Sequence, residues 1–365
     1  MLPALSKPHL PFLGRRQPRS LPLLTLPIVL SSTFTMLLLF YMMLGLGPLL
    51  SPYLVNGQTF KDYRSRCSFD ADKSYWPDWV SSLPDVVNIS SLSIPGTHDT
   101  MTYTISNSTL QCQNWDLKTQ IYAGIRYIDI RARVKNNVLT TYHADEPTGV
   151  TFERILLTIY DWLDTYPREW IIMRIKEEGE PIGQSNMTFQ EVFDDTFNNY
   201  YFIKERAKKH WYVHNNSMPL PSVGQLRGKV LFLQEFPSTP PWKYGIEWNG
   251  PQMMLQDEWI VKDVDHLDDK WQAIEEHFEM TNFKPNDNGY LYASHLSASV
   301  GVLPVEAAGG PLNRSIVGMN DRSCNYMEWH FTEPGSLRLG VVIADFPGQV
   351  LIFDTIRFSR RSYND

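Results

Sequence analysis

The chain is poor in cysteine, with three in 365 residues: Cys67, Cys112 and Cys324. None stands at metal-ligand spacing from another, which excludes a structural zinc site. In an oxidising compartment they allow one disulfide and one free thiol. A basic excess is also missing: 33 Lys and Arg face 40 Asp and Glu, a net charge of −7. Nothing in that balance meets a phosphate backbone, so a nucleic-acid partner is excluded. Charge of either sign is absent between Arg19 and Lys61. No internal repeat and no second domain boundary is visible.

The charge-free stretch contains Ile28–Gly47, IVLSSTFTMLLLFYMMLGLG, an apolar run of membrane-spanning length. Residues 1–60 hold four basic residues, Lys7, Arg15, Arg16 and Arg19, and no acids. The remainder therefore carries 29 basic against 40 acidic residues, a net of −11. Basic residues before the run and none close behind it predict a cytosolic amino end and a translocated body. An uncleaved single-pass anchor is expected, with a cleaved signal peptide as the alternative. The predicted organisation is a basic tail (1–27), a transmembrane or signal segment (28–47), a linker and lead-in (48–85) and one domain (86–365). Sequons at Asn88, Asn107, Asn186, Asn215 and Asn313 suit a glycoprotein of the secretory route.

Beyond residue 85 short apolar runs alternate with helical patterns. Strands are predicted at Leu92–Thr97, Tyr127–Arg133, Val138–His143, Trp170–Lys176, Lys229–Glu235, Met253–Ile260, Tyr290–Ser297 and Leu339–Phe346. Phe152, Ile155, Leu156, Ile159, Trp162 and Leu163 recur at the spacing of one helix face, with Thr151 as N-cap. Leu267–Phe283 forms a second amphipathic pattern. Strands alternating with helices, about eight in number, predict an α/β fold of the TIM-type barrel kind, regular or distorted.

One strand is especially informative. In YIDIRAR the charged residues Asp129, Arg131 and Arg133 share one parity, and Ile128, Ile130 and Ala132 share the other. Alternate strand residues face opposite ways. In a barrel the apolar set meets the helices and the charged set points into the lumen, where charge is costly unless paired or used. Arg174 and Lys176 repeat the pattern in the strand at 170–176.

His98 and Asp99 (in SIPGTHDT), His143 (in TTYHADE) and Asp345 (in VVIADFP) all stand at predicted strand ends. A TIM-type barrel collects those ends on one face, where active sites lie. Two histidines, carboxylates to orient them and an enclosed arginine suit attack of a hydroxyl on a phosphodiester. One histidine takes the nucleophile's proton, the other protonates the leaving oxygen, and the guanidinium neutralises phosphoryl charge without a metal. The Pro-rich stretch 236–251 reads as a loop whose Trp242, Tyr244 and Trp248 either face a lipid–water interface or pack on the barrel rim.

SIPGTHDT, QNWDLKTQIYAGIRYIDIRAR, TTYHAD and WIIMRIKEE resemble the catalytic X region of phosphatidylinositol-specific phospholipase C. They are most similar to the single-domain, metal-independent secreted type of bacteria. The resemblance is strong over residues 88–180 and weaker to about 350. It implies that His98 deprotonates the inositol 2-hydroxyl, with Asp345 orienting it. It implies His143, assisted by Asp99, as general acid for the glyceride oxygen. Arg131 would replace a calcium ion, and Asp129 would hold that arginine. The products would be diacylglycerol and inositol 1,2-cyclic phosphate, with no cofactor and no metal. Lys176, Asp257 and Trp259 match residues that bind the inositol ring. The chain departs from the family at Gln234 and Glu235, where a basic pair is usual. The implied partner is a membrane phospholipid, phosphatidylinositol or a glycosylated inositol lipid, and a monomer is expected. A metal-dependent glycerophosphodiesterase-like barrel and a non-catalytic lipid- or sugar-binding barrel are the competing interpretations.

Overall fold

SIPGT and GVVIA carry no charge on either parity, the pattern of strands covered on both faces. In the computed structural model, which describes residues 60, 62–283, 287–313, 315–331 and 338–361, they are adjacent central strands of one curled sheet. The strands are β1 (Ser93–Thr97), β2 (Tyr127–Lys135), β3 (Val138–His143), β4 (Glu146–Thr151), β5 (Trp170–Glu177), β6 (Trp211–Tyr212) and β7 (Lys229–Glu235). They continue with β8 (Ile246–Glu247), β9 (Met253–Gln256), β10 (Ile260–Val261), β11 (Leu291–His295), β12 (Ser299–Val300) and β13 (Gly340–Ala344).

The main path runs β6-β7-β5-β2-β1-β13-β11-β9, parallel throughout, with helices in most crossovers. This is the expected α/β barrel architecture, curled but not closed: among the described residues no pairing joins β9 to β8 or β6. The reason is local. β8 has two residues, and the chain then turns through Asn249, whose φ is 57°, so no ladder forms on that side. The predicted strand 253–260 breaks for a similar reason. It stops at Gln256, and Ile260–Val261 pairs instead with Ser299–Val300 in a small separate sheet.

The helix Phe152–Thr165 starts at the expected cap, Thr151 Oγ1 accepting from the Arg154 amide. Its buried stripe includes all six residues of the predicted face. The second predicted helix, Leu267–Phe283, is present with the expected bounds. On β2, Ile128, Ile130 and Ala132 are fully buried in the hydrophobic core. Burying such a set at roughly 25 cal/mol per Å2 is the main stabilising contribution.

At the amino ends of the strands, Arg126 and Glu169 form a fully buried ion pair, Nη2 to Oε2 2.8 Å. Glu169 also accepts from the Ser81 amide, and Trp79 donates to the Gly124 carbonyl. The described part of the lead-in is thereby packed onto the barrel floor. Cys67 and Cys324 form a disulfide, and Cys112 is free and buried. The basic tail and the run Ile28–Gly47 lie outside the described residues. Among those described, no helix is long and apolar enough to cross a membrane.

Of the two alternatives for the loop 236–251, packing against the barrel holds for two of its rings. Tyr244 is buried, stacked on Phe236 and packed on Phe193. Trp248 is also buried, its indole beneath the Arg174 guanidinium at 4.1 Å. The Pro-rich composition marks a loop correctly, but the loop folds inward because these rings find aromatic and cationic partners in the sheet.

Candidate active site

The site is assembled by strand register. β1 pairs β13 with Thr97 opposite Ala344, and the His98 amide donates to the Ala344 carbonyl. The residue that follows β13 is Asp345, so His98 and Asp345 meet: Nδ1 lies 2.8 Å from Oδ1. β1 also pairs β2, and Gly96 packs so tightly on Tyr127 that an added Cβ would come within 2.8 Å of its ring. That approach brings Asp99 over β2, where its amide donates to Asp129 Oδ2 at 3.1 Å. Asp99 holds φ 42°, left-handed backbone that a short polar residue tolerates and that recurs at functional sites. The β2–β5 register sets Asp129 beside Arg174 and Arg131 beside Lys176.

The two histidines converge on Asp99. His98 Nε2 and His143 Nε2 each stand 3.4 Å from Asp99 Oδ2, and the ring centroids are 6.3 Å apart. Arg131 enters between them, with Nε 3.1 Å from Asp99 Oδ1 and Nη2 2.7 Å from His98 Nε2. Asp129 braces that guanidinium from behind at 3.3 Å and takes Arg174 on its other oxygen, also at 3.3 Å. Arg174 in turn binds Glu235, Nε to Oε2 2.7 Å.

These contacts assign tautomers. A guanidinium only donates, so His98 Nε2 carries a lone pair and Nδ1–H donates to Asp345. Burial, and then the Arg131 charge, hold the His98 imidazole well below its ordinary range, which agrees with a neutral base. His143 Nδ1–H donates to the Leu110 carbonyl at 2.7 Å, which turns Nε2 toward Asp99. Burial alone would raise Asp129, but Arg174 and Arg131 outweigh it and hold the carboxyl well below its usual range. Burial, opposed by Arg131, raises Asp99, and burial together with Asp99 raises Asp345.

Among the described residues, one group has metal-ligand proximity: His98, Asp99 and Cys112, with ligand atoms within 4.8 Å. The Arg131 guanidinium already bonds two of the three, and burial pushes the Cys112 thiol well above its usual range. A bound arginine cation stands where a divalent ion would be needed.

The remaining predicted residues are distributed around the mouth. Lys176 Nζ pairs Glu178 at 2.8 Å, and Glu178 accepts from the Ala144 amide. Asp257 follows β9 and lies 3.8 Å from His295 Nδ1. Trp259, 46% exposed, stands on the rim beyond it, its amide donating to the Asp257 carbonyl. Gln234, buried near the end of β7, is turned to the loop that follows, donating to the Phe236 carbonyl and accepting from the Tyr244 amide. Glu235 takes up Arg174, so the chain keeps a cation here on β5 in place of β7. Arg174 was legible from its shared parity with Lys176. His295, in an otherwise unremarkable strand, was not.

The curled α/β barrel, with acid–base groups and a fixed guanidinium at the carboxyl ends of its strands, defines an enzyme class suited to phosphoryl chemistry. Residues 92–235 match the model of the family "Phosphatidylinositol-specific phospholipase C, X domain". The chain is 29% identical over 290 residues to the 1-phosphatidylinositol phosphodiesterase of Listeria monocytogenes, covering 76% of this chain and 84% of the relative. The enzyme of that name from Staphylococcus aureus (strain Newman) is 24% identical over 309 residues, 78% of this chain and 93% of the relative. The solved phosphatidylinositol-specific phospholipase C from L. monocytogenes superposes with a TM-score of 0.62 at 30% identity, covering 77% of this chain and 98% of that one. The chain belongs to the phosphatidylinositol-specific phospholipase C X-domain family.

Proposed function

We propose that this enzyme cleaves phosphatidylinositol to diacylglycerol and inositol 1,2-cyclic phosphate without a metal. The observation that carries the proposal is the convergence of His98 Nε2, His143 Nε2 and the Arg131 guanidinium around Asp99. His98 Nε2 takes the proton of the inositol 2-hydroxyl, whose oxygen attacks phosphorus. The bond from phosphorus to the glycerol oxygen breaks, and His143 Nε2–H returns a proton to that oxygen. Asp345 keeps His98 in the required tautomer, Asp99 orients His143, and Asp129 braces Arg131 against the developing charge. Lys176, Asp257 and Trp259 line the headgroup side. Incubation with phosphatidylinositol in excess EDTA tests this. Phosphorus NMR should detect a five-membered cyclic phosphate; absence of turnover, or turnover only with added metal, overturns the proposal.

The enzyme acts on the exoplasmic side, delivered by the Ile28–Gly47 segment as signal or anchor. The Cys67–Cys324 disulfide supports an oxidising compartment. Asn107, Asn186, Asn215 and Asn313 are exposed and open to glycan transfer. Amino-terminal sequencing and glycosidase shift of the cell-derived protein check this; an unglycosylated cytosolic product refutes it.

A further inference from the structure

His295 ends β11 inside the lumen, 1% exposed, and the acid–base scheme above does not use it. Its ring lies 5.6 Å from that of His98, at 81° to it, and 6.0 Å from the Trp248 indole, at 87°. Nδ1 faces Ser297 Oγ at 3.4 Å and the Asp257 carboxylate at 3.8 Å. Ser297 Oγ can accept or donate, and the negative charge of the Asp257 carboxylate on that side favours the ring proton on Nδ1, which leaves the lone pair on Nε2. That Nε2 is buried and has no hydrogen-bond partner. Asp99 Oδ2, beside His98 in the same mouth, is likewise buried without a hydrogen bond. A buried acceptor left this way destabilises the fold, which is accounted for when a ligand satisfies it. Burial holds His295 down at about 4, which keeps it an uncharged acceptor at neutral pH.

Resting on the phosphatidylinositol proposal above, we infer that His295 is a specificity-determining residue whose Nε2 accepts a hydrogen bond from the headgroup hydroxyl vicinal to the attacking one. Two imidazoles with rings 5.6 Å apart can each reach one of two neighbouring ring oxygens. Position 1 of inositol carries the phosphate, so the vicinal group beside the 2-hydroxyl is the 3-hydroxyl. Asp257 fixes the tautomer, and Trp248 supplies the flat wall that sets the imidazole on edge. The ligand class is a polyol ring free at that position. A substituent there has no proton to donate and meets a closed, buried wall.

The test is a cycle of protein and substrate changes. Wild type, His295→Leu and His295→Gln are assayed on phosphatidylinositol and on its 3-deoxy analogue in mixed micelles, with thermal unfolding recorded for each. Wild type should lose roughly 3- to 10-fold in kcat/KM on the deoxy analogue, the size of one neutral hydrogen bond. His295→Leu should lose a similar factor on phosphatidylinositol and nothing further on the analogue, with His295→Gln between. Equal rates of wild type on the two substrates, or losses that multiply in His295→Leu, overturn the inference while leaving the cleavage reaction standing. If His295→Leu does not fold, the wild-type ratio and His295→Gln decide alone. Failure of wild type on phosphatidylinositol itself brings down both proposals.

Discussion

Arg131 Nη2 lies 2.7 Å from His98 Nε2, so the guanidinium caps the lone pair of the proposed base. The nucleophilic hydroxyl can reach that lone pair only when the guanidinium turns to another acceptor, and the substrate phosphate is such an acceptor. Base and cation are thus released for their tasks by one event, arrival of the phosphodiester. Arg131→Lys should lower kcat by roughly 10²–10³-fold, the usual cost of one preorganised charge-stabilising donor. An ammonium also cannot bridge Asp99, Asp129 and phosphate as a planar fork does. Initial rates within threefold of wild type would remove the guanidinium geometry from the mechanism.

His98→Ala and His143→Ala should each reduce turnover by roughly 10²–10⁴-fold with the fold retained. Because His98 is held below its ordinary range, the acidic limb of the kcat/KM profile should fall below about pH 6.5, the unperturbed histidine value. Stopped assays from pH 4.5 to 8 check this. An acidic limb centred above pH 6.5 would mean that burial and the guanidinium do not depress the base.

His277 gives a stability prediction separate from the chemistry. It sits on the buried face of the helix Leu267–Phe283, bonded to Ser294 Oγ at 2.6 Å and the Met254 carbonyl at 3.2 Å, and burial lowers it to about 4. Its depressed value means the unfolded chain binds the proton first as pH falls. The stability from neutral His277 is therefore full above about 6.5 and is lost progressively down to about 4. The full effect is about 3 kcal/mol at most. Denaturant unfolding at pH 7 and pH 5 should show a smaller drop in His277→Gln than in wild type. An identical drop would assign the acid sensitivity elsewhere.

The Cys67–Cys324 bond closes a loop of 257 residues in sequence separation. Loop-closure entropy predicts a loss of about 2–5 kcal/mol in Cys67→Ser/Cys324→Ser. Cys112→Ser, with the disulfide intact, is the control. Equal unfolding midpoints for wild type and the double variant would show that the unfolded chain is not constrained by this bond.

Most of the barrel was legible because its central strands are runs of β-branched and aliphatic residues, bounded by turns. β4 was not, since EPTGVT carries Pro and Gly and reads as a loop until β3 offers it a partner. β6, β8, β10 and β12 have two residues each, too short for any periodicity. The proposed acid–base residues could be grouped because strand ends gather at one mouth, so position in sequence implies position in space. His295 was hidden by the same logic: a single histidine in ASHLSAS has no partner in sequence, and its neighbours His98, Trp248 and Asp257 come from three other segments. Tyr244 and Trp248 show the opposite limit. Local composition announces a loop, but tertiary contacts decide which way its rings point.

The lead-in and the helix Met319–His330 are joined covalently across the whole catalytic body. A protease that nicks any exposed segment between them produces two fragments that stay sewn together. Such a molecule would migrate as an uncut chain until a reductant is added. The bond would hold the two pieces of the site's scaffold together after the first cleavage.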